Sequence, residues 1–295
     1  MLSDIRNEFE DDYTNNHLHD LPFFIKYCWT DIHFQMNFHS HYGYELFFLH
    51  EGSGNYVNDG YIYPFQGNDL IIIEPHQIHK ASPDFGKRFT RTVVNFLPEF
   101  LNPDSKQLVA DLFGKECKPE YRQISLCQEK HAPIYALLEQ MHTEYKSRHT
   151  RFDQMLSILL NRLLQEIHRL FFSNSPSGGR PPDRANSVVN QVIHYLTHHY
   201  ADEIPLEDLA KKFYISPYHL CRIFKKTTGE TISRFILYTR IHQAKQELIF
   251  SDSSILEIAT RVGFNSYSYF GLVFKQNEGM TPKEYRKKFK QSRYL

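Results

Sequence analysis

Apolar residues between Phe23 and Phe100 fall in short runs separated by glycines: Tyr44 to Leu49, Gly52-Ser-Gly54, Tyr56-Val57, Asp59-Gly60, Tyr61-Ile-Tyr63, a break from Pro64 to Gly67, then Leu70 to Ile73. Brief segments of Ile, Val, Tyr and Phe with turn signals every ~8–12 residues predict an antiparallel sandwich or barrel. After His131 the period lengthens to that of a helix. Ile134, Leu137, Leu138, Met141 and Tyr145 form one stripe, and Leu156, Leu159, Leu160, Leu163, Leu164, Ile167, Leu170 and Phe171 form another. The second stripe is wider than one partner face needs, so this helical pair either folds wholly onto the β segment or also meets a second subunit. Ser173-Asn-Ser-Pro-Ser-Gly-Gly-Arg-Pro-Pro182 has the composition of a linker. Beyond it every segment is helical, from the amphipathic stretch Ser187 to Tyr200 to a long helix over Ile232 to Phe250. Residues 1–20 are polar and acidic and predict a loose arm. The pattern gives a two-domain α+β chain: an arm at 1–20, an antiparallel β domain at 21–130, a helical pair at 131–172, a linker at 173–184 and an all-α domain at 185–295.

With 295 residues, 41% hydrophobic and 15% aromatic, the chain has material for two packed cores and is not a disordered segment. Its zero net charge hides a split. Residues 1–182 hold 17 Lys and Arg against 23 Asp and Glu, a balance of −6, and residues 183–295 hold 17 against 11, a balance of +6. A basic helical half suits a phosphate-binding surface, because each cation that neutralises a phosphate releases condensed counterions. Surplus lysine also simply solvates helices, so the charge becomes evidence only together with a motif. Cys28, Cys117, Cys127 and Cys221 show no metal or disulfide spacing and read as reduced thiols. There is no N-terminal signal pattern and no apolar run near the ~20 residues of a membrane span, which predicts a cytoplasmic protein with no membrane partner.

One helix-turn-helix pattern occurs twice. Leu206-Glu-Asp-Leu-Ala210 leads to Phe224-Lys225, and Ile255-Leu-Glu-Ile-Ala259 leads to Phe274-Lys275. In the first copy Ser216-Pro217 starts a helix, with a hydroxyl to cap orphan N–H groups and a proline where a missing donor is harmless. Leu220, Ile223 and Phe224 then face inward, and Tyr218, Cys221, Arg222 and Lys225 share the outer face. Tyr218, Cys221 and Arg222 are placed to approach base edges, with Arg222 suited to bidentate bonding of a guanine, and Lys225 and Lys226 to touch phosphates. In the second copy Gly263 makes the turn and Ser266 the cap. Phe270 and Phe274 point inward and Ser268, Gly271, Leu272 and Lys275 outward, with Tyr267 and Tyr269 at the leading end. A single helical hairpin of this kind is common as plain packing. Two copies held apart by a long helix in a basic domain point to duplex DNA.

Ile215-Ser-Pro-Tyr-His-Leu-Cys-Arg-Ile-Phe-Lys-Lys-Thr-Thr-Gly229, and still more Val262 to Arg286, resemble the AraC/XylS family of bacterial transcription regulators. The resemblance covers the last hundred or so residues. It implies two recognition helices entering successive major-groove segments of promoter DNA, and Tyr218, Cys221, Arg222, Ser268, Tyr269 and Leu272 match family positions that contact DNA. Leu272 departs from the basic or polar residue common there. The expected partners are a second copy of the chain, met through a helical dimerisation segment at residues 131–172, and RNA polymerase.

His39-Ser-His41 with Glu45 and Gly52, followed by Pro64 to Asp69 and Pro75-His76-Gln-Ile-His79, resembles the two cupin motifs found in sugar-responsive AraC-type sensors. The β domain is therefore expected to be a cupin-like barrel. Strand alternation puts His39 and His41 on one face, where Glu45 and His79, or less well His76, join them. Three imidazoles and a carboxylate suit a divalent transition metal. The same set also serves a polar effector without metal, with Trp29 and Tyr44 offering rings for a sugar to stack on, and this is the favoured expectation, with no cofactor. No Ser-His-Asp or Cys-His pattern rises above chance, so the expected function is not enzymatic but that of a DNA-binding regulator, an activator responding to a small molecule, with a carbohydrate as the expected effector class. The rivals are a metal-dependent cupin enzyme fused to a DNA-binding domain and an architectural DNA binder without an effector.

Overall fold

The computed structural model describes residues 10–34, 36–58, 60–114, 122–126, 128–173 and 187–290. By their contacts these fall into two compact units. The first takes the residues from 14 to the end of the helical pair, except 37–40; the second takes 37–40, the start of the first helix, and 187–290. The predicted linker at 173–184 lies, beyond its first residue, outside the described residues.

The first unit opens with α1 (Glu10–Asp20), where a loose arm was expected. One buried leucine, Leu18, and no apolar stripe left this helix without a periodic signal. It is held from outside, by Asn15, whose Oδ1 accepts from the Tyr42 N–H at 3.2 Å and whose carbonyl accepts from the Tyr42 hydroxyl at 2.9 Å. Among the described residues eight strands follow: β1 (Phe23–Asp31), β2 (Tyr44–Glu51), β3 (Ser53–Asn58), β4 (Tyr61–Gln66), β5 (Asp69–Ile73), β6 (His79–Pro83), β7 (Phe89–Phe96) and β8 (Gln123–Ser125). They pair antiparallel throughout, in one sheet of order β1-β7-β2-β5-β8 and another of order β4-β3-β6.

Alternation along β2 assigns the two faces of the larger sheet. Leu46 and Phe48 join a core with α2 (Lys106–Phe113), α3 (Gln128–Ser147) and α4 (Phe152–Ser173), while Phe47 and Leu49 join a core between the sheets with Tyr56, Tyr63, Phe65 and Phe89. The helical pair expected at 131–172 is α3 and α4, and α2 is an element the pattern did not reveal. Leu156, Leu160, Leu163, Leu164 and Ile167 of α4 are each fully buried, a contribution of ~1.5–3 kcal/mol per side chain. Its other flank leaves Met155 and Ile158 exposed.

The second unit is helical: α5 (Ser187–His199), α6 (Leu206–Lys212), α7 (Pro217–Thr228), α8 (Ile232–Phe250), α9 (Ile255–Arg261), α10 (Tyr267–Glu278) and α11 (Pro282–Lys290). The duplication extends to the caps. Ser216 and Ser266 accept from the N–H groups of His219 and Tyr269, and Gly229 and Gly279 end α7 and α10 in the left-handed conformation at φ 72° and 70°. Thr231 and Thr281 then cap the next helices. Leu220 and Phe224 in one copy, Phe270 and Phe274 in the other, fill the core as expected. A buried ion pair, Lys245 Nζ to Glu278 Oε2 at 3.0 Å, ties α8 to α10. Among the described residues no helix is long and apolar enough to cross a membrane.

Candidate DNA interface and buried polar site

The outer faces of α7 and α10 are open. Tyr218, Cys221, Arg222, Lys225 and Lys226 on the first, and Tyr267, Ser268, Tyr269, Leu272 and Lys275 on the second, are all exposed. The turns ahead of the two helices share one hydrogen-bond scheme. The N–H groups of Tyr214 and Ile215 donate to the carbonyls of Lys211 and Ala210, and those of Gly263 and Phe264 to Thr260 and Ala259. The turn residue is left-handed in both, at φ 57° for Tyr214 and 93° for Gly263. The second turn uses the glycine suited to it; the first strains a tyrosine whose side chain is 95% exposed. Tyr214→Gly is therefore expected to stabilise the chain by about 0.5–1 kcal/mol, because relief of the left-handed penalty exceeds the added entropy of the unfolded glycine. A thermal melt with an unchanged or lowered midpoint contradicts it.

The β unit holds a buried polar cluster. His41 Nε2 lies 2.9 Å from Glu45 Oε2, the Asn95 amide donates to the same oxygen at 2.9 Å, and the Tyr56 hydroxyl donates to Oε1 at 3.2 Å. His79 Nε2 stands 4.0 Å from Glu45 Oε2, and the His41 and His79 rings meet edge to face with centroids 4.9 Å apart. Each imidazole donates its Nδ1–H to a backbone carbonyl, His41 to Gly43 at 2.9 Å and His79 to Gln77 at 2.8 Å, which turns both Nε2 atoms toward the carboxylate. Burial alone raises the Glu45 carboxyl. The His41 hydrogen bond, the positive charge of His79 and His41, and the Asn95 amide outweigh it and hold the group well below the usual carboxylate range.

Two predicted site residues, Tyr44 and Trp29, lie elsewhere, and His41 reaches the site by a different route from the one expected. His41 is not on a strand: residues 40–43 are a loop before β2, so the expected alternation with His39 does not operate. His39 groups with the helical unit, where its Nδ1 donates to the Asn37 carbonyl at 3.2 Å. Tyr44 faces the opposite side of β2 from Glu45 and packs on Phe96 and Phe113 in the helix-covered core, so it cannot line the inter-sheet site. Trp29 is at the other end of the sheet. Register places Glu45 opposite Asn95 and both Leu49 and Trp29 opposite Arg91, about 13 Å further along at ~3.3 Å per residue. There the Trp29 ring lies against the buried Arg91 guanidinium, which pairs with Asp31 at 3.0 Å. Sequence reasoning missed Asn95, whose only signal was its place in the strand that pairs with β2. The cluster that folding assembles is His41, Glu45, Tyr56, His79 and Asn95. Within it His41 and His79 offer ring nitrogens within 4.8 Å of one another, donors that a divalent metal could use, with the Glu45 carboxylate 4.0 Å from His79 Nε2.

Two family profiles match this chain, an AraC-like ligand binding domain over residues 21–164 and a helix-turn-helix domain over 209–288. The chain belongs to the AraC family of transcriptional regulators. Its AraC-family relatives include the uncharacterized HTH-type transcriptional regulator YdiP of Escherichia coli (strain K12), 25% identical over 83% of this chain and 79% of that one. The HTH-type transcriptional activator RhaS of Mannheimia succiniciproducens is 26% identical over 84% of this chain and 88% of its own. Among solved structures, the DNA-binding domain of AdpA in complex with a target DNA is 28% identical and covers 36% of this chain, with a TM-score of 0.35.

Proposed function

We propose that this AraC-family regulator is an activator that reads promoter DNA with α7 and α10, works as a homodimer with RNA polymerase, and responds to a carbohydrate taken into its β unit. The observation that carries the DNA half is the twin set of exposed, serine-capped helix faces in a domain with a surplus of six positive charges. Arg222 bonds a guanine edge, Tyr218 and Cys221 flank it, Lys225 and Lys226 hold phosphates, and the second helix contributes Tyr267, Ser268, Tyr269, Leu272 and Lys275. Arg222→Ala is expected to lose ~1–3 kcal/mol on the preferred duplex and to relax sequence preference, while Lys225→Ala weakens all duplexes and lowers the salt slope by about 1. Fluorescence anisotropy against preferred and random duplexes over a salt series checks both. Equal loss on both duplexes for Arg222→Ala rejects its base-reading role.

For the effector, a carboxylate, an amide, a phenol and two imidazoles side by side match the mixed donors and acceptors of a polyhydroxylated molecule. Binding there shifts the balance between states of the regulator that differ in fitness for DNA. A carbohydrate panel should raise the thermal midpoint for one member, by ~2.7 kcal/mol in stability at a hundred times its dissociation constant; no response across the panel removes the carbohydrate reading. The exposed Met155 and Ile158 on α4 support the dimer. A second reading, a divalent metal on His41, Glu45 and His79, with His39 as the further sequence-predicted donor, is favoured by one specific feature. Both imidazoles give Nδ1 to carbonyls and present Nε2 toward the carboxylate, the orientation that outer partners impose on metal-binding histidines. Elemental analysis of the purified chain distinguishes the two.

A further inference from the structure

The Arg240 side chain on α8 donates to three backbone carbonyls. Its Nε reaches the Tyr200 oxygen at 2.6 Å, one terminal nitrogen reaches Gly263 at 2.6 Å, and the other reaches Asp202 at 2.9 Å. Those carbonyls belong to segments far apart in the chain. Tyr200 and Asp202 lie in the stretch that leaves α5 and launches α6, the first helix of the first motif; Gly263 is the turn of the second motif. The same two segments touch directly, since a Cβ on Gly263 would sit 2.5 Å from the Ala201 oxygen and 2.8 Å from its Cα.

A guanidinium is planar, with its donors in a fixed fork, so three bonds to three carbonyls fix orientation as well as distance. Lysine concentrates its donors on one rotating nitrogen and cannot span such an arrangement. All three acceptors are main chain, so the joint is independent of which side chains Tyr200, Asp202 and Gly263 carry. Arg240 itself is not on the outer face of either recognition helix, and all three of its nitrogens are engaged within the helical unit.

We propose that Arg240 is a positioning residue for DNA recognition: by locking the start of the first motif to the turn of the second, it sets the relative placement of α7 and α10 and so the half-site spacing the protein accepts. This rests on the DNA-reading role proposed above. Two heads on a rigid frame bind as one only when both sites are reached together, and loosening the frame removes that gain without changing either head.

The test uses the full-length chain and a duplex recovered by selection from a random-sequence pool on the wild-type protein. Derivatives of that duplex have either half-site scrambled, or the spacing lengthened stepwise up to about half a helical turn. Arg240→Met, which keeps the stem and loses the donors, is expected to bind each half-site duplex within about twofold of wild type, to bind the complete duplex at least about tenfold more weakly, and to show a flattened dependence on spacing. Arg240→Lys, which keeps the charge, should resemble Arg240→Met, and it carries the same test if the methionine variant does not fold. A wild-type spacing profile in either variant overturns the proposal, as does a parallel loss on half-site and complete duplexes. Full recovery by Arg240→Lys also overturns it, because that is the behaviour of a phosphate contact. A wild-type chain that selects no duplex at all fails the DNA-reading role, a result separate from these.

Discussion

His41→Ala is expected to lower the unfolding free energy of the β unit by about 3 kcal/mol, the upper end of the range for stripping a buried acceptor of its hydrogen-bond partner, since the acceptor is a carboxylate. The ring and the Glu45 carboxylate it bonds at 2.9 Å are both almost wholly inaccessible to solvent. Without the ring, the carboxylate keeps its desolvation and loses its principal donor. Asn95 and Tyr56 keep their hydrogen bonds to the carboxylate but do not fill the place of the ring. Urea unfolding of metal-free protein at neutral pH measures the effect, and a loss below ~1 kcal/mol shows that the cluster reorganises around the vacancy.

Acid should act on the same group. The Glu45 carboxyl is held low in the folded chain, below its unfolded value near ~4.3. Its contribution is therefore complete above the unfolded value and is lost as pH falls from there toward the folded one. Wild type should lose stability on acidification below about pH 5. Glu45→Gln, with nothing to titrate at that position, should lose less; identical slopes for the two would place the acid sensitivity elsewhere.

The second large effect is expected at the turn of the second motif. Gly263→Ala should destabilise the helical unit by on the order of 3 kcal/mol, because two penalties coincide. The backbone is at φ 93°, where a Cβ is disfavoured, and the new methyl would meet the Ala201 main chain at 2.5 Å, where no side chain can swing aside. Thermal or urea unfolding checks this, and near-neutrality would mean that the Ala201 segment yields easily. The same substitution at an open glycine such as Gly271, within α10 and with nothing inside 4 Å of its virtual Cβ, should be neutral or favourable.

The contrast between the two turns shows what the chain makes legible. Gly263 announces a left-handed residue, and Ser216 and Ser266 announce helix starts, because those signals are local. Tyr214 adopts the same left-handed turn, but nothing in a tyrosine advertises it; only the surrounding repeat imposes the conformation. The strands and the α4 stripe were readable from periodicity, since burial on one face writes itself into spacing. Asn95 was not, because it meets Glu45 through pairing of β7 with β2, fifty residues away along the chain. Tyr44 and Glu45 are neighbours in sequence and both polar enough to suggest a site, yet a strand sends them to opposite faces. His41 reaches Glu45 from a loop, whose path is set by α1 through Asn15 and Tyr42, an element with almost no hydrophobic signature.

Among the described residues, the free thiols of Cys28 and Cys221 are both open to solvent, one in each unit. Cys28 sits at the irregularity of β1, and Cys221 lies on the outward face of α7. With α7 in the groove as proposed, duplex should shield the Cys221 sulfur from alkylation by a maleimide while leaving Cys28 reactive, so that one thiol serves as the internal control for the other.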